Sequence, residues 1–473
     1  MSHRRLARAE RWNPPGRLLS IGYSTGQLLI AARDRGYEPY EVEMDSGTAD
    51  YARNKYRLDA RTGTLPDTGF PPESFELITL IESLEYLPNP EEKMTLVAGL
   101  LRPDGVAMVI VPNGGSSPAR KNISTWEHFQ PGEHISLFDS DSLKELGRRC
   151  GLELIDVDTE LSSGVGYVGA LMAFFRRADF DIPGRPKLIS VRADGARGDT
   201  LMATAVLRGL RKRFPDALLR VQTNFPRLLE GLDKVEPVSA NVPAGGTCQV
   251  RASYEIDPAG HAVDVMMRYC RAGPSDRHIY YMVRPEENKR ARELLERMGV
   301  KSPAVGIHPL SGSRIKRWRK ENWAILGEML RDRGFDLVLL GGEEDTTRIS
   351  EGFDLRGRLS ERESIAVLAG LDVFVGLDSF LAHAAGAVRT PRVLLFGSTD
   401  PERILCDLDT CPTKVFRGVC PYLGCRQDCL PDQWLRNVGC RRGEPVCLEA
   451  ISPEEISAAV TDLADANEQQ NKD

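Results

Sequence analysis

The sequence predicts an α/β protein made of one complete α/β unit followed by a second, bilobal one. Three observations lead there. Short apolar runs of strand length alternate with helical stretches, the pattern of mostly parallel sheets covered by helices. The pattern starts afresh after residues 176–187, RRADFDIPGRPK, which carry charges, two prolines and a glycine. At roughly 100–200 residues per domain, 473 residues give two to four domains.

The first unit has strand-like runs at 17–21, 40–43, 75–81 and 106–111. Its opening segment, LLSIGYSTGQLLIAARDRGYEPYEVEMD, reads as a strand, a glycine-bearing turn, a helix and a second strand ending in an acid. That is a nucleotide-binding layout. Gly22 and Gly26 let backbone approach a ligand at the helix N-terminus, and Glu43 is placed to take two ribose hydroxyls. His128 and His134 flank a Pro-Gly turn and read as structural.

The second unit begins with a strand at 188–191, a glycine-containing loop, a helix over about 200–214 and a strand at 218–223. Asp199 lies at the mouth of a cleft, where an aspartate deprotonates an acceptor hydroxyl as general base. The same residue in the same place also serves as a helix cap. Further strands are expected at 304–308, 336–340, 373–375 and 392–396. GIHPLSGSRIKRWRKENWAILGEML supplies Ser311, Gly312, Ser313 and Lys316 to bond and neutralise a phosphate. In GLDSFLAHAAGA, Asp378 and Ser379 begin a helix carrying His383, and FGSTDPER adds another polar turn. Four strand ends thus converge polar groups, as ligand sites on open parallel sheets do. Trp318 and Trp323 read as packing residues, His261 as a solvated loop residue, and His308 as either a site residue or a buried one.

Composition bounds the partners. The hydrophobic fraction of 41% and charged fraction of 27% are those of an ordinary globular protein. Sixty-two basic against 68 acidic residues sum to −6, which argues against nucleic acid as a partner. No apolar run approaches the roughly 18 residues that cross a bilayer. The N-terminus, MSHRRLARAERW, lacks the apolar stretch of a secretory signal, so a cytoplasmic location is expected.

Seven of the ten cysteines fall within the 42 residues 406–447. In a reducing compartment, metal ligation or packed thiols are the readings. The spacing C-x4-C-x3-C-x10-C-x6-C from Cys420 supplies enough thiolates for a zinc or iron site. The candidate ligands are Cys425, Cys429, Cys440 and Cys447, in a structural role. Between Cys411 and Cys447 six Arg or Lys face three acids, a basic segment that could meet an anionic acceptor or membrane surface.

The first unit, over roughly residues 12–160, resembles the class I S-adenosylmethionine-dependent methyltransferases. The resemblance rests on the opening segment and on FPPESFELITLIESLEYLPNPEE, LLRPDGVAMVIVPN and HFQPGEHISLFDSDSLKELGRRCGLELID. It implies S-adenosylmethionine at Gly22, Gly26 and Glu43. The family pattern is altered at Ser20, Ser24, Glu76 and Tyr86, so a degenerate domain is expected. Over about residues 186–460 the motifs and their order resemble glycosyltransferase family nine, the heptosyltransferases. That implies a GT-B architecture of two Rossmann-like lobes, with acceptor bound by the first and nucleotide-diphospho-sugar, typically ADP-heptose, by the second. Carried over by position, Asp199 is the base and Lys316 the phosphate contact. Glu343 is the acid near the nucleotide-sugar, and Asp378, Ser379 and His383 match D-[ST]-G-x-x-H. Phe380 stands where that signature has glycine.

The expected organisation is a methyltransferase-like domain at 1–178, an acceptor lobe at 186–295 and a nucleotide-sugar lobe at 296–465 with its Cys-rich segment at 406–447. The expected reaction is transfer of heptose or a related sugar to a hydroxyl of lipopolysaccharide, a surface glycan or a protein, with peripheral contact at the inner face of the cytoplasmic membrane. Two alternatives stay open: an enzyme that also methylates, and a non-catalytic glycan-assembly protein.

Overall fold

The computed structural model describes residues 1–22, 26–159, 169–182, 184–240, 249–254, 257, 260–274, 276–349, 352–420, 440 and 446–470. The chain divides into two compact units, Met1–Ser190 with Pro243–Val250 and Val191–Val242 with Arg251–Asp473.

The first unit is built on β1 (Arg17–Ile21), β2 (Glu38–Glu43), β3 (Asp59–Thr62), β4 (Phe75–Ile81), β5 (Leu101–Pro112), β6 (Leu152–Thr159) and β7 (Ala170–Arg177). They form one sheet in the order β3-β2-β1-β4-β5-β7-β6. β1 runs parallel to β2 and β4, whereas β7 is antiparallel to both β5 and β6. Central strands of a sheet covered on both faces are apolar throughout rather than alternating. β5 obeys this rule: Val106 to Val111 are all buried. The chain winds outward from β1 to β3, then returns to β4 on the other side. The crevice between β1 and β4 is therefore the switch point, where open parallel sheets bind ligands beyond the strand C-termini.

Two further sheets follow. The four-stranded one has the order β10-β9-β8-β11, from β8 (Leu188–Arg192), β9 (Leu218–Thr223), β10 (Val235–Ser239) and β11 (Gln249–Arg251). The six-stranded one takes β12 (Ala304–His308), β13 (Asp336–Leu339), β14 (Phe353–Asp354), β15 (Val373–Leu377), β16 (Arg392–Phe396) and β17 (Thr413–Arg417) in the order β14-β13-β12-β15-β16-β17. All five of its pairings are parallel. Its switch point lies between β12 and β15. Its core joins Val305, Ile307, Val373 and Val375 to Trp318, Trp323 and the helix Pro453–Gln470. The expected α/β class and Rossmann-like lobes are thus present.

The expected helix at 200–214 begins earlier, as Arg197–Arg213. Asp199 lies at its third position and accepts the Ala196 amide at 2.7 Å, so the helix starts at the residue this carboxylate caps.

Candidate functional site

The C-terminal ends of β12, β13, β15 and β16 gather the side chains expected to meet a nucleotide-sugar. Lys316, in the short turn Arg314–Lys316 after β12, forms an ion pair with Asp378, which follows β15. Burial pushes the Asp378 carboxyl up, but Lys316, with help from His383, outweighs it and leaves the pKa below the usual carboxylate value. Ser311 is buried and donates to the Asp378 carbonyl at 3.3 Å. Gly312 has open space where a Cβ would stand, so nothing in the protein itself demands glycine there. Ser379 is the N-cap of the helix Phe380–Ala387, and its hydroxyl lies 3.0 Å from His308 Nδ1. Phe380 is the first residue of that helix.

Burial lowers His383 and His308 each to about 4, so both imidazoles are neutral at pH 7. His383 Nδ1 is buried with no hydrogen-bond partner among the described residues, as are Ser398 Oγ and Asp345 Oδ2, while the Thr399 hydroxyl lies against the Asp378 carboxylate. The sequence reading placed the acid of this loop at Glu343. That side chain is exposed, and the buried acid is Asp345, two residues on, beside His308. Three consecutive acids in GGEED gave no means of choosing between them. His308 stands between this acid and Ser379.

Asp199 stands apart on its own helix, beside Gly198. A Cβ on Gly198 would lie 3.2 Å from His383 Cδ2, so the glycine lets that helix approach the helix Phe380–Ala387. A Cβ on Gly195 would lie 2.5 Å from Asp199 Oδ2. The second partner of Asp199 escaped the sequence reading: Tyr254 donates its hydroxyl to Oδ1 at 3.2 Å from 55 residues away.

In the first unit Gly22 (φ +98°) and Gly26 (φ +75°) both need glycine for backbone reasons. Added Cβ atoms would also fall 2.8 Å from Ser83 Cβ and 2.9 Å from the Tyr56 ring. Glu43 is buried at the end of β2. Its Oε1 accepts the Asp45 amide at 3.1 Å, while Oε2 is buried and has no partner among the described residues. An acceptor left open there fits a ribose hydroxyl. Glu76, expected at the chemistry, is at the opposite end of β4 and accepts the Arg17 amide at 2.7 Å. Tyr86 bonds His134 Nε2 at 3.1 Å, and His134 Nδ1 lies 2.8 Å from the His128 carbonyl. Ser24 lies outside the described residues.

His261, read as a solvated loop residue, is buried instead. Its Nδ1 caps the amide of Val263 at 3.2 Å, and Nε2 reaches the Leu405 carbonyl at 3.0 Å. Trp318 and Trp323 pack edge to face at 5.1 Å. Of the candidate metal ligands, Cys425 and Cys429 lie outside the described residues, and Cys447 is buried, with its Cβ 3.0 Å from where a Cβ on Gly397 would stand. Among the described residues no group of three or more His, Cys, Asp or Glu could hold a metal, and no helix is long and apolar enough to cross a membrane.

Residues 1–157 match a family model described as a methyltransferase domain, and residues 274–409 match glycosyltransferase family 9 (heptosyltransferase). Lipopolysaccharide heptosyltransferase 3 of Escherichia coli is 32% identical over 127 residues, which are 24% of this chain and 37% of that protein. Lipooligosaccharide heptosyltransferase 2 of Haemophilus influenzae is 28% identical over 142 residues, 26% of this chain and 40% of that protein. The chain thus spans well under half the length of these curated relatives. Among solved structures, a family 9 glycosyl transferase from Veillonella parvula is 15% identical, covering 60% of this chain and 98% of that one at a TM-score of 0.49. A TehB-like SAM-dependent methyltransferase from Corynebacterium glutamicum is 20% identical, covering 37% of this chain and 86% of that one at a TM-score of 0.28. The chain is thus similar to methyltransferase domains over residues 1–157 and to glycosyltransferase family nine, the heptosyltransferases, over residues 274–409.

Proposed function

We propose that the second half transfers heptose or a related sugar from a nucleotide-diphospho-sugar, with ADP-heptose the first donor to try, to a hydroxyl of lipopolysaccharide, a surface glycan or a protein. The observation that carries this reading is the set of polar atoms left open among the described residues, on Asp345, His383 and Ser398, around the Lys316–Asp378 pair. Buried polar groups are bonded in the great majority of cases. Open ones gathered at the C-terminal edge of a parallel sheet fit a polyhydroxylated, doubly charged ligand that supplies the missing partners. Of the three donors on Lys316, Asp378 takes one, which leaves the others for the diphosphate.

In the transfer, the acceptor oxygen attacks the anomeric carbon and the bond from that carbon to the diphosphate oxygen breaks. The electron pair leaves with the nucleoside diphosphate, and the acceptor proton passes to Asp199. Lys316 and the amides of the Ser311–Gly312 turn neutralise the charge that develops on the leaving group. Glu343, at the rim of the same edge, is within this reading an acceptor for sugar hydroxyls. Calorimetry with ADP and ADP-heptose on the full-length protein tests it. Binding that disappears in Lys316→Ala is expected; equal binding by both proteins, or none by the wild type, sinks the donor assignment.

Glu43 supports a second activity. Its buried, open Oε2, with Gly22 and Gly26 shaping the turn before the helix Gln27–Asp34, would hold S-adenosylmethionine by its ribose. That cofactor, when bound, supplies a methyl group. Calorimetric binding lost in Glu43→Ala is the expected result, and no binding by the wild type removes the activity. A structural zinc or iron on Cys425, Cys429, Cys440 and Cys447, and contact of the basic 411–447 segment with the cytoplasmic face of the inner membrane, belong to the same reading. Metal analysis of purified protein and sedimentation with anionic vesicles test them, and no step of the transfer needs either.

A further inference from the structure

We infer that Tyr254 is a positioning residue for Asp199, and that Arg403 couples it to the donor-side turn after β16. The inference rests on the reading of Asp199 as base. Tyr254 Oη donates to Asp199 Oδ1 at 3.2 Å, and the Ala196 amide donates to Oδ2 at 2.7 Å. Two donors on two different oxygens fix the plane of the carboxylate, and the backbone at Gly195 closes in on Oδ2. A base held in one orientation needs no reorganisation when the acceptor hydroxyl arrives. The hydroxyl donor also favours the charged form of the carboxylate, holding it ready to accept a proton.

Tyr254 is itself gripped from the donor side. Arg403, a buried residue, donates Nη2 to the carbonyl of Tyr254 at 3.2 Å and to that of Asp257 at 2.9 Å, and its guanidinium lies 5.9 Å from the Tyr254 ring centroid. It sits on the four-residue helix Pro401–Ile404, whose N-cap Asp400 accepts the Glu402 amide at 3.1 Å. That turn begins at Ser398, whose hydroxyl is open among the described residues, and at Thr399, whose hydroxyl lies against Asp378. A donor that engages these hydroxyls bears on Arg403, through it on Tyr254, and so on the base. The charged and titratable side chains on the elements packed here are Arg197 (paired with Glu361), Asp194 (beside Arg192 and Arg251), Asp257 (paired with Arg268), Asp400 (beside Arg417) and His383. Tyr254 donates to Asp199 from within this group.

The test uses full-length protein carrying ¹³C-labelled aspartate, with the Asp199 signal identified by its loss in Asp199→Asn. Tyr254→Phe keeps the ring and removes only the donor, and equal melting temperatures show that it is folded. The carboxyl pKa of Asp199 is expected to rise by about one unit in Tyr254→Phe, a tenfold change in proton affinity. The acid limb of ADP release from ADP-heptose, with delipidated lipopolysaccharide core as acceptor, should move up with it while the donor KM stays put. Superimposable Asp199 titrations in the two proteins overturn the positioning role. Undiminished turnover in Asp199→Asn overturns the base reading instead, so the two failures are distinct. For the coupling, ADP should shift the Asp199 titration in the wild type and not in Arg403→Gln. A shift absent from the wild type, or kept in the variant, overturns it.

Discussion

Lys316 and Asp378 join the turn after β12 to the end of β15, with side chains only 17% and 7% exposed. The pair presents a positive group to a ligand and at the same time neutralises an acid that could not otherwise stay charged in that position. Removing the lysine therefore has two effects, one on binding and one on the fold.

In Lys316→Ala, Asp378 is left buried without its counter-charge, and stability at pH 7 should fall by about 3 kcal/mol. The pH dependence separates this from a simple packing loss. With its folded pKa below the unfolded value of about 3.9, Asp378 contributes stability that is present above that value and lost as pH falls through the lower folded one. In the variant burial is opposed only by His383 and Thr399, so the loss should begin at a higher pH than in the wild type. Urea midpoints from pH 3 to 7 read the difference; parallel curves for the two proteins would count against it.

His308 and His383 act in the same direction, but from a higher pH. Burial holds both near 4, below the unfolded value of about 6.5, so the unfolded chain takes up protons first. Stability should decline as pH falls from about 6.5 towards 4, by at most roughly 3 kcal/mol per histidine. His383→Asn should flatten part of that slope. An unchanged slope would mean that His383 is charged in the fold.

Asp199→Asn should lower turnover by about 10²–10⁴, the usual contribution of a general base. Its cost to stability should be about 1 kcal/mol, because the side chain also caps its helix. Gly195→Ala should resemble it in turnover, since the new Cβ would displace Oδ2 from 2.5 Å. Steady-state kinetics on both variants checks this. Full turnover in Gly195→Ala would show that the orientation of the carboxylate is not limiting.

Arg392 lies fully buried in β16 and donates to the Ala382 carbonyl at 2.6 Å and to Thr413 Oγ1 at 2.9 Å; it also donates to the Cys406 carbonyl. Arg392→Met should cost about 3 kcal/mol by leaving these acceptors unpaired. Because Ala382 shares a helix with His383, ADP binding should weaken along with the melting temperature. A variant as stable as the wild type would contradict the claim that Arg392 secures this helix.

Much of the fold could be read from the sequence because central parallel strands are unbroken apolar runs. The runs at 17–21, 75–81, 218–223, 304–308 and 392–396 coincide with β1, β4, β9, β12 and β16. β6 resisted, since LELIDVDT mixes acids into a strand at the sheet edge. The short β14 has only two residues, too few for any periodicity. In the candidate site, residues that follow strands in glycine-bearing turns were legible: Gly22, Glu43, Lys316, Asp378 and Ser379. Tyr254 was not, because its partner is brought to it by the sheet β10-β9-β8-β11 and by no local pattern. Asp345 could not be told from Glu343 and Glu344 until the backbone decided which of the three points inward.

The reversed direction of β7 governs how the first unit can be joined to other chains. β1 enters the sheet at the edge opposite its switch point. β7, running against β5, returns the chain to that same edge, where Arg176 lies across from Val106. Entry and exit therefore share one side, and Gly22 and Glu43 lie at the other end of the strands. Sequence added before β1 or after β7 therefore joins the sheet at the edge away from Gly22 and Glu43, as a handle does to a blade.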